Sequence, residues 1–199
     1  MEGNGLEFVH TRAEKDVELM RTDSPQMTAR DVIDFVRLLM EHDIPVVLDG
    51  GWGVDAALGR QTRLHADLDI AIQHSDSPRL RALLEERGYR EVPRDDSWAC
   101  NFVLGDAHGH LIDVHSCTHD EAGNLIYGVP YPIESLGGSG TVAGLAVRCI
   151  TPEWLVKFHT SYPLDENDYR DVQALCAQFG IPLPEEFRRF EQTDGARPD

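Results

Sequence analysis

The sequence is short of positive charge. Its 199 residues carry 18 Lys and Arg against 35 Asp and Glu, a formal net charge of −17. Phosphate backbones are bound through clusters of Lys and Arg, so this balance argues against a nucleic-acid partner. No apolar run approaches the roughly 18 residues that a membrane span requires, so no membrane partner is expected. The start, MEGNGLEFVHTRAEKDVEL, lacks the basic and apolar regions of a secretory leader, which makes the cytoplasm the expected location. Cysteine is scarce. Cys100, Cys117, Cys149 and Cys176 are widely spaced with no C-x-x-C pair, and read as reduced thiols rather than a disulfide framework. Internal repeats and low-complexity tracts are absent too.

What is present suffices for one domain, or one and a small appendage, with 41% hydrophobic residues to build a core. The acid excess fits a solubilising surface. It also suits a cationic small molecule, whose approach a negative field speeds.

Patterning divides the chain into a polar N-terminal arm (1–27), an α/β region with a mixed sheet (28–150), a smaller helical C-terminal region (151–191) and a tail (192–199). Thr28 and Asp31 form a capping-box pattern, and Ile33, Val36, Leu39 and Met40 follow at helical spacing to a stop near His42. Val46 to Asp49 reads as a buried strand. Gly50-Gly51 breaks it, and a helix from Trp52 to Leu58 follows. A second strand spans Ala66 to Gln73. A helix from Ser77 ends at Gly88, and strands are expected near 100–104, 110–116 and 145–150. Thr151-Pro152-Glu153 is a helix start, with a cap residue and proline at the first helical position. A second C-terminal helix is expected over Asp165 to Phe179, closed by Gly180, and a third over Pro184 to Phe190.

The chemistry lies in LDGGWGVDAALGRQTRLHADLDI, residues 48–70. Asp67 and Asp69 are two apart on a strand, so both carboxylates face one side. Carboxylates forced together repel, and a divalent cation is the usual remedy. Oxygen-only ligands suit Mg²⁺. Asp113, in the strand pattern His110 to His115, supplies a third ligand if its strand lies alongside. Three carboxylates can hold two ions about 4 Å apart, the arrangement used for in-line phosphoryl or nucleotidyl displacement. D-x-D alone is common at solvated strand ends, and Gly-Gly alone is commonly a plain turn. Glycines between a strand and a helix also let backbone amides approach a phosphate at the positive end of the helix. The specific signal is the order: strand, Gly-Gly, helix, D-x-D strand, then a distant strand aspartate.

That order resembles the nucleotidyltransferase superfamily that includes DNA polymerase beta. The details G-G-W-x-x-D and T-R-x-H-x-D-L-D-I are similar to its aminoglycoside 2''-adenylyltransferase and lincosamide nucleotidyltransferase branch. The likeness is strong over 46–72 and fair over 100–116 and 151–175. It implies a mixed-sheet core and transfer of a nucleoside monophosphate, usually AMP from ATP, to an antibiotic hydroxyl. Asp67, Asp69 and Asp113 would hold two Mg²⁺ ions, with Asp113 also the base that takes the hydroxyl proton. The backbone at Gly50, Gly51 and Trp52 would cradle the triphosphate. The wider superfamily has Gly-Ser where this chain has Gly-Gly, so no serine hydroxyl reaches a phosphate here. Phosphate contacts are then expected from Arg63, His65 and Lys157. The alternatives are an ion pair from Arg63 to Asp67 or Asp55, a strand-capping His65, and an exposed Lys157. Asp55 is expected to orient Arg60 or Arg63.

Asp165, Glu166, Asp168 and Asp171 mark the start of the second C-terminal helix, and some of them, Glu166 and Asp168 first, are candidates for binding the cationic acceptor, although acidic first turns also stabilise helices. Glu91, Asp95, Asp96 and Trp98 fall where a substrate loop would lie. An aminoglycoside is favoured as acceptor because a polycation suits the charge. A lincosamide, a tRNA or protein target, and an inactive nucleotide-binding relative are the alternatives. His65-Ala66-Asp67 superficially matches the H-x-D of kinases, but Ile72 stands where their asparagine is needed. His115, Cys117 and His119 form H-x-C-x-H, a spacing of no common zinc site. His115 shares the Asp113 face and is expected to support it. A monomer and a homodimer are equally open.

Overall fold

The structure, a computed structural model, describes residues 26–160, 164–188 and 190. Most of the expected N-terminal arm and the tail lie outside them, but Met27 does not belong to a loose arm. It is buried and its N–H donates to His65 O at 2.8 Å. Thr28 and Asp31 form the capping box and start α1 (Ala29–Glu41), whose buried stripe is Val32, Phe35, Val36 and Leu39.

After β1 (Val46–Leu48) the chain turns directly into α2 (Gly50–Leu58), so the two glycines are the first turn of the helix rather than a linker before it. Then come β2 (Asp67–Gln73), α3 (Ser77–Glu85), β3 (Arg90–Val92), β4 (Asn101–Gly105), β5 (Leu111–His119), β6 (Leu125–Gly128), β7 (Gly138–Val142) and β8 (Leu145–Cys149). Two helices follow, α4 (Pro152–Phe158) and α5 (Glu166–Phe179). Thr151 occupies the cap position of α4 without a side-chain cap bond, whereas Asp165 caps α5 in a box with Asp168. The segment read as a third C-terminal helix has a short 3-10 turn at Glu185–Phe187.

The sheet is mixed, in the order β3-β4-β5-β2-β1-β8-β7, with β6 pairing to the far end of β5. β2 runs antiparallel to β1 and parallel to β5. Strand alternation sorts β2 cleanly. Leu68, Ile70 and Ile72 face the core formed with α1 and α3, while Ala71 faces a second core. That second core draws Val47, Val54 and Cys117 from the sheet region and Leu155, Val172 and Leu175 from the C-terminal helices. Asp67 and Asp69 share the Ala71 face and so look toward α4 and α5. The thiols of Cys100, Cys117, Cys149 and Cys176 are free. No helix among the described residues is long and apolar enough to cross a membrane.

Candidate active site

Register brings the carboxylates together. Asp69 on β2 lies directly opposite Asp113 on β5, and Ala71 opposite His115. Ligand atoms of Asp69, Asp113 and His115 lie within 4.8 Å of one another. This convergence differs from the expected three aspartates: His115 takes part in it and Asp67 stands beside it. The His115 ring nitrogen Nε2 is 3.7 Å from Asp113 Oδ1.

Burial, followed by the charges of Asp67, Asp49 and Asp113, pushes the Asp69 carboxyl well above the usual carboxylate range. Burial also raises Asp113, against the pull of His115. Asp113 Oδ1 is buried with no hydrogen-bond partner among the described residues. A carboxylate oxygen in that position is costly unless something cationic meets it. The carboxylate oxygens of Asp69 and Asp113 fit a hard divalent cation, with the His115 imidazole beside them.

The glycine turn is built onto this cluster. Asp49 N–H donates to Asp69 O at 2.9 Å, which seats the start of α2 against the first residues of β2. The Asp49 side chain caps the helix at Gly50 N, 2.8 Å away. Its other oxygen accepts the Tyr131 hydroxyl at 2.5 Å. Gly50 has φ +51°, and a Cβ there would lie 2.1 Å from Asp69 Oδ2, so both torsion and space require glycine. Gly51 is required for space: a Cβ would lie 2.4 Å from His65 Nδ1 and 2.6 Å from Arg63 Nη2. The amides of Gly51 and Trp52, in the first turn, have no acceptor within their own helix.

Both side chains behind Gly51 are anchored. His65 Nε2 bonds Asp55 Oδ2 at 2.5 Å, and each side chain is only 2% exposed. Asp55 Oδ1 also accepts the amide (2.9 Å) and hydroxyl (2.5 Å) of Thr62. Asp55 thus orients His65, not Arg60 or Arg63. Arg63 donates from Nε (3.0 Å) and Nη2 (2.8 Å) to Asp171 Oδ2 on α5. Its ion-pair partner is therefore neither Asp67 nor Asp55.

A cleft of about 300 Å³ opens over these groups, lined by Asp49, Gly50, Gly51, Arg63, Asp67, Asp69, His115, Phe158, His159 and Asp168. Trp52 does not line it. Its ring is buried and packs on His65 at 4.7 Å, so its contribution is limited to the backbone. His65 stands behind the turn rather than in the cleft. Lys157 lies on the exposed face of α4 with Nζ 4.0 Å from the Trp154 ring centre, and its neighbours Phe158 and His159 face the cleft instead. Asp168 reaches the cleft, whereas Glu166 is exposed and pairs with Arg170 at 3.4 Å. Cys117 and His119 are not part of the group of possible metal ligands that His115 joins among the described residues.

Asp49, Tyr131 and His159 were not singled out from the sequence. Asp49 directly precedes the glycines, which is a local signal. The other two are brought in by long-range packing and leave no trace in spacing. Asp171 was read with the acidic helix start as a possible contact for a cationic acceptor; it is instead turned to Arg63 and does not line the cleft.

A glycine turn opening a helix beside paired strand carboxylates, on a mixed sheet, defines a nucleotidyltransferase. The chain belongs to the aminoglycoside-2''-adenylyltransferase family, whose pattern matches residues 31–175. It is 28% identical to a lincosamide resistance protein of Staphylococcus haemolyticus over 157 residues, 75% of this chain and 94% of that protein. It is also 28% identical to a 2''-aminoglycoside nucleotidyltransferase of Escherichia coli over 116 residues, 58% of this chain and 63% of that one. The chain thus spans less than two thirds of the aminoglycoside relative. Solved structures that share the fold include two ligand complexes. The lincomycin-bound lincosamide adenylyltransferase LnuA superposes with a TM-score of 0.66 at 23% identity, over 79% of this chain and 99% of that one. ANT(2'')-Ia in complex with adenylyl-2''-tobramycin gives 0.62 at 23% identity, over 84% and 98%.

Proposed function

We propose that the protein transfers AMP from ATP to a hydroxyl of a cationic antibiotic, with an aminoglycoside as the favoured acceptor. The observation that carries this is the register pairing of Asp69 with Asp113 directly beside the Gly50-Gly51 turn. Asp69 and Asp113, with Asp67 next to them, would hold two Mg²⁺ ions. Bound there, the ions would offset charge on the α-phosphate and help pyrophosphate leave. The amides of Gly51 and Trp52 and the guanidinium of Arg63 bind the triphosphate. The acceptor hydroxyl oxygen attacks the α-phosphorus and forms the new P–O bond. The bond from that phosphorus to the β-phosphate oxygen breaks, and the hydroxyl proton passes to Asp113. Asp168, on the α5 side of the cleft, meets an acceptor ammonium.

A lincosamide acceptor is the second reading, favoured by the 94% of the lincosamide resistance protein that the similarity spans. A panel assay separates the two. Purified protein is incubated with Mg²⁺, each nucleoside triphosphate, and representative aminoglycosides and lincosamides. Pyrophosphate release and a mass gain of one nucleotide on the drug are expected. Failure to modify any acceptor would sink the antibiotic reading, and pyrophosphate release that survives loss of both Asp67 and Asp69 would sink the mechanism.

A further inference from the structure

Among the described residues the C-terminal helix α5 sends one nearly inaccessible carboxylate toward the nucleotide side of the cleft. Asp171 is 2% exposed, and it takes Nε and Nη2 of Arg63 side-on at 2.8 to 3.0 Å. Arg63 Nη1 reaches back to Leu64 O at 3.3 Å. The guanidinium is thereby held against the turn, with Nη2 2.6 Å from where a Gly51 Cβ would stand. Arg63 lines the cleft and Asp171 does not.

We infer that Asp171 is a positioning residue for nucleotide binding: it holds Arg63 against Gly51, so that a helix of the C-terminal region completes the triphosphate cradle. This rests on the proposed nucleotide site. The physical reason is geometric. An arginine on a loop has many rotamers, and a carboxylate that occupies its Nε edge removes them while leaving the Nη end to meet phosphate. Long side chains fixed in advance lose less on binding.

Charge alone predicts the opposite sign. A buried carboxylate beside an anion site repels the anion, so neutralising it should tighten anion binding. If Asp171 works by holding Arg63, neutralising it should weaken binding instead. The two accounts differ in direction, which makes the measurement decisive.

The test is equilibrium binding of magnesium pyrophosphate and of magnesium ATP by calorimetry, on the full chain and four variants. Asp171→Asn is expected to weaken pyrophosphate about tenfold, the worth of one charge-assisted hydrogen bond, and to leave the acceptor KM unchanged. Asp171→Glu should recover part of the loss. Arg63→Met should weaken binding at least as much. The Arg63→Met/Asp171→Leu pair removes both partners and leaves no unpaired buried charge, so it keeps the comparison available even if Asp171→Asn fails to fold. It should bind pyrophosphate as Arg63→Met does, with no further loss. Tighter or unchanged binding in Asp171→Asn would overturn the inference, as would losses that add in the double variant. Absence of pyrophosphate and ATP binding in the unmodified protein would instead refute the nucleotide reading itself.

Discussion

Adding one methyl group at Gly51 tests the architecture behind the cleft. Helical propensity favours the change: Gly to Ala within a helix gains up to about 1 kcal/mol. Nothing in the torsion at Gly51 opposes it, since left-handed backbone occurs at Gly50 and not at Gly51. Space opposes it. The new Cβ would meet His65 Nδ1 at 2.4 Å, His65 Cε1 at 2.6 Å and Arg63 Nη2 at 2.6 Å. A mobile side chain would step aside, but His65 is pinned to Asp55 at 2.5 Å and Arg63 to Asp171 at 2.8 Å. Overpacking of a fixed site costs about 1–3 kcal/mol, and the anchoring puts this case at the upper end. Offset by the helical gain, Gly51→Ala should lose about 2 kcal/mol, a fall in Tm of about 4–8 °C for a chain of this size. Thermal denaturation followed by circular dichroism measures it, with magnesium pyrophosphate titrations alongside to detect the displaced Arg63. A variant at least as stable as the parent, binding pyrophosphate equally well, would show that neither His65 nor Arg63 is held as described.

Three further outcomes follow from the same geometry. The Asp69 carboxyl is raised in the folded chain, so between the ordinary carboxylate value and its folded value the native state holds more protons than the unfolded one. Metal-free protein should therefore lose stability as pH rises through that window, and Asp69→Asn should flatten the loss; urea unfolding in EDTA at several pH values reads both. Magnesium at a hundred times its dissociation constant should stabilise the protein by about 2.7 kcal/mol, and Asp113→Asn should remove most of that gain in a thermal shift assay. Tyr131→Phe removes the hydroxyl that donates to Asp49 and should cost about 2 kcal/mol in chemical denaturation, since it strips a buried carboxylate of one donor; an unchanged midpoint would mean that water replaces it.

The cluster of Asp67 and Asp69 was legible because a strand has a period of two, and residues 67 and 69 must share a face. Asp113 was legible as a strand residue, and the β2–β5 pairing put it opposite Asp69. The capping box at Thr28 and the closing glycine at Gly180 placed ends of two helices to within a residue. Strands β3, β6 and β7 gave no such signal. β7 is Gly138-Ser139-Gly140-Thr141-Val142, whose glycines disfavour a strand locally, yet a Cβ at Gly140 would lie 2.0 Å from Ala56 O. There the demand is the close approach of α2, a tertiary fact with no periodicity. Arg63 was recognised as a charge near the site, but its partner is 108 residues away on α5. His65 pointed along the expected parity, and packing then enclosed it behind the glycine turn.

The second core has a bearing on how the gene can be cut. Sequence character changes at Thr151, which invites a boundary there. Yet Val54, Ala71 and Cys117 pack in one cluster with Leu155, Val172 and Leu175, and Arg63 is held by Asp171 across the same junction. A fragment ending at Ile150 would keep every strand of the sheet and all three strand aspartates while baring the apolar face that α4 and α5 cover. Such a half should be poorly soluble alone and recover when the other half is co-expressed, so the junction suits a split reporter in which drug survival reads out the meeting of two polypeptides.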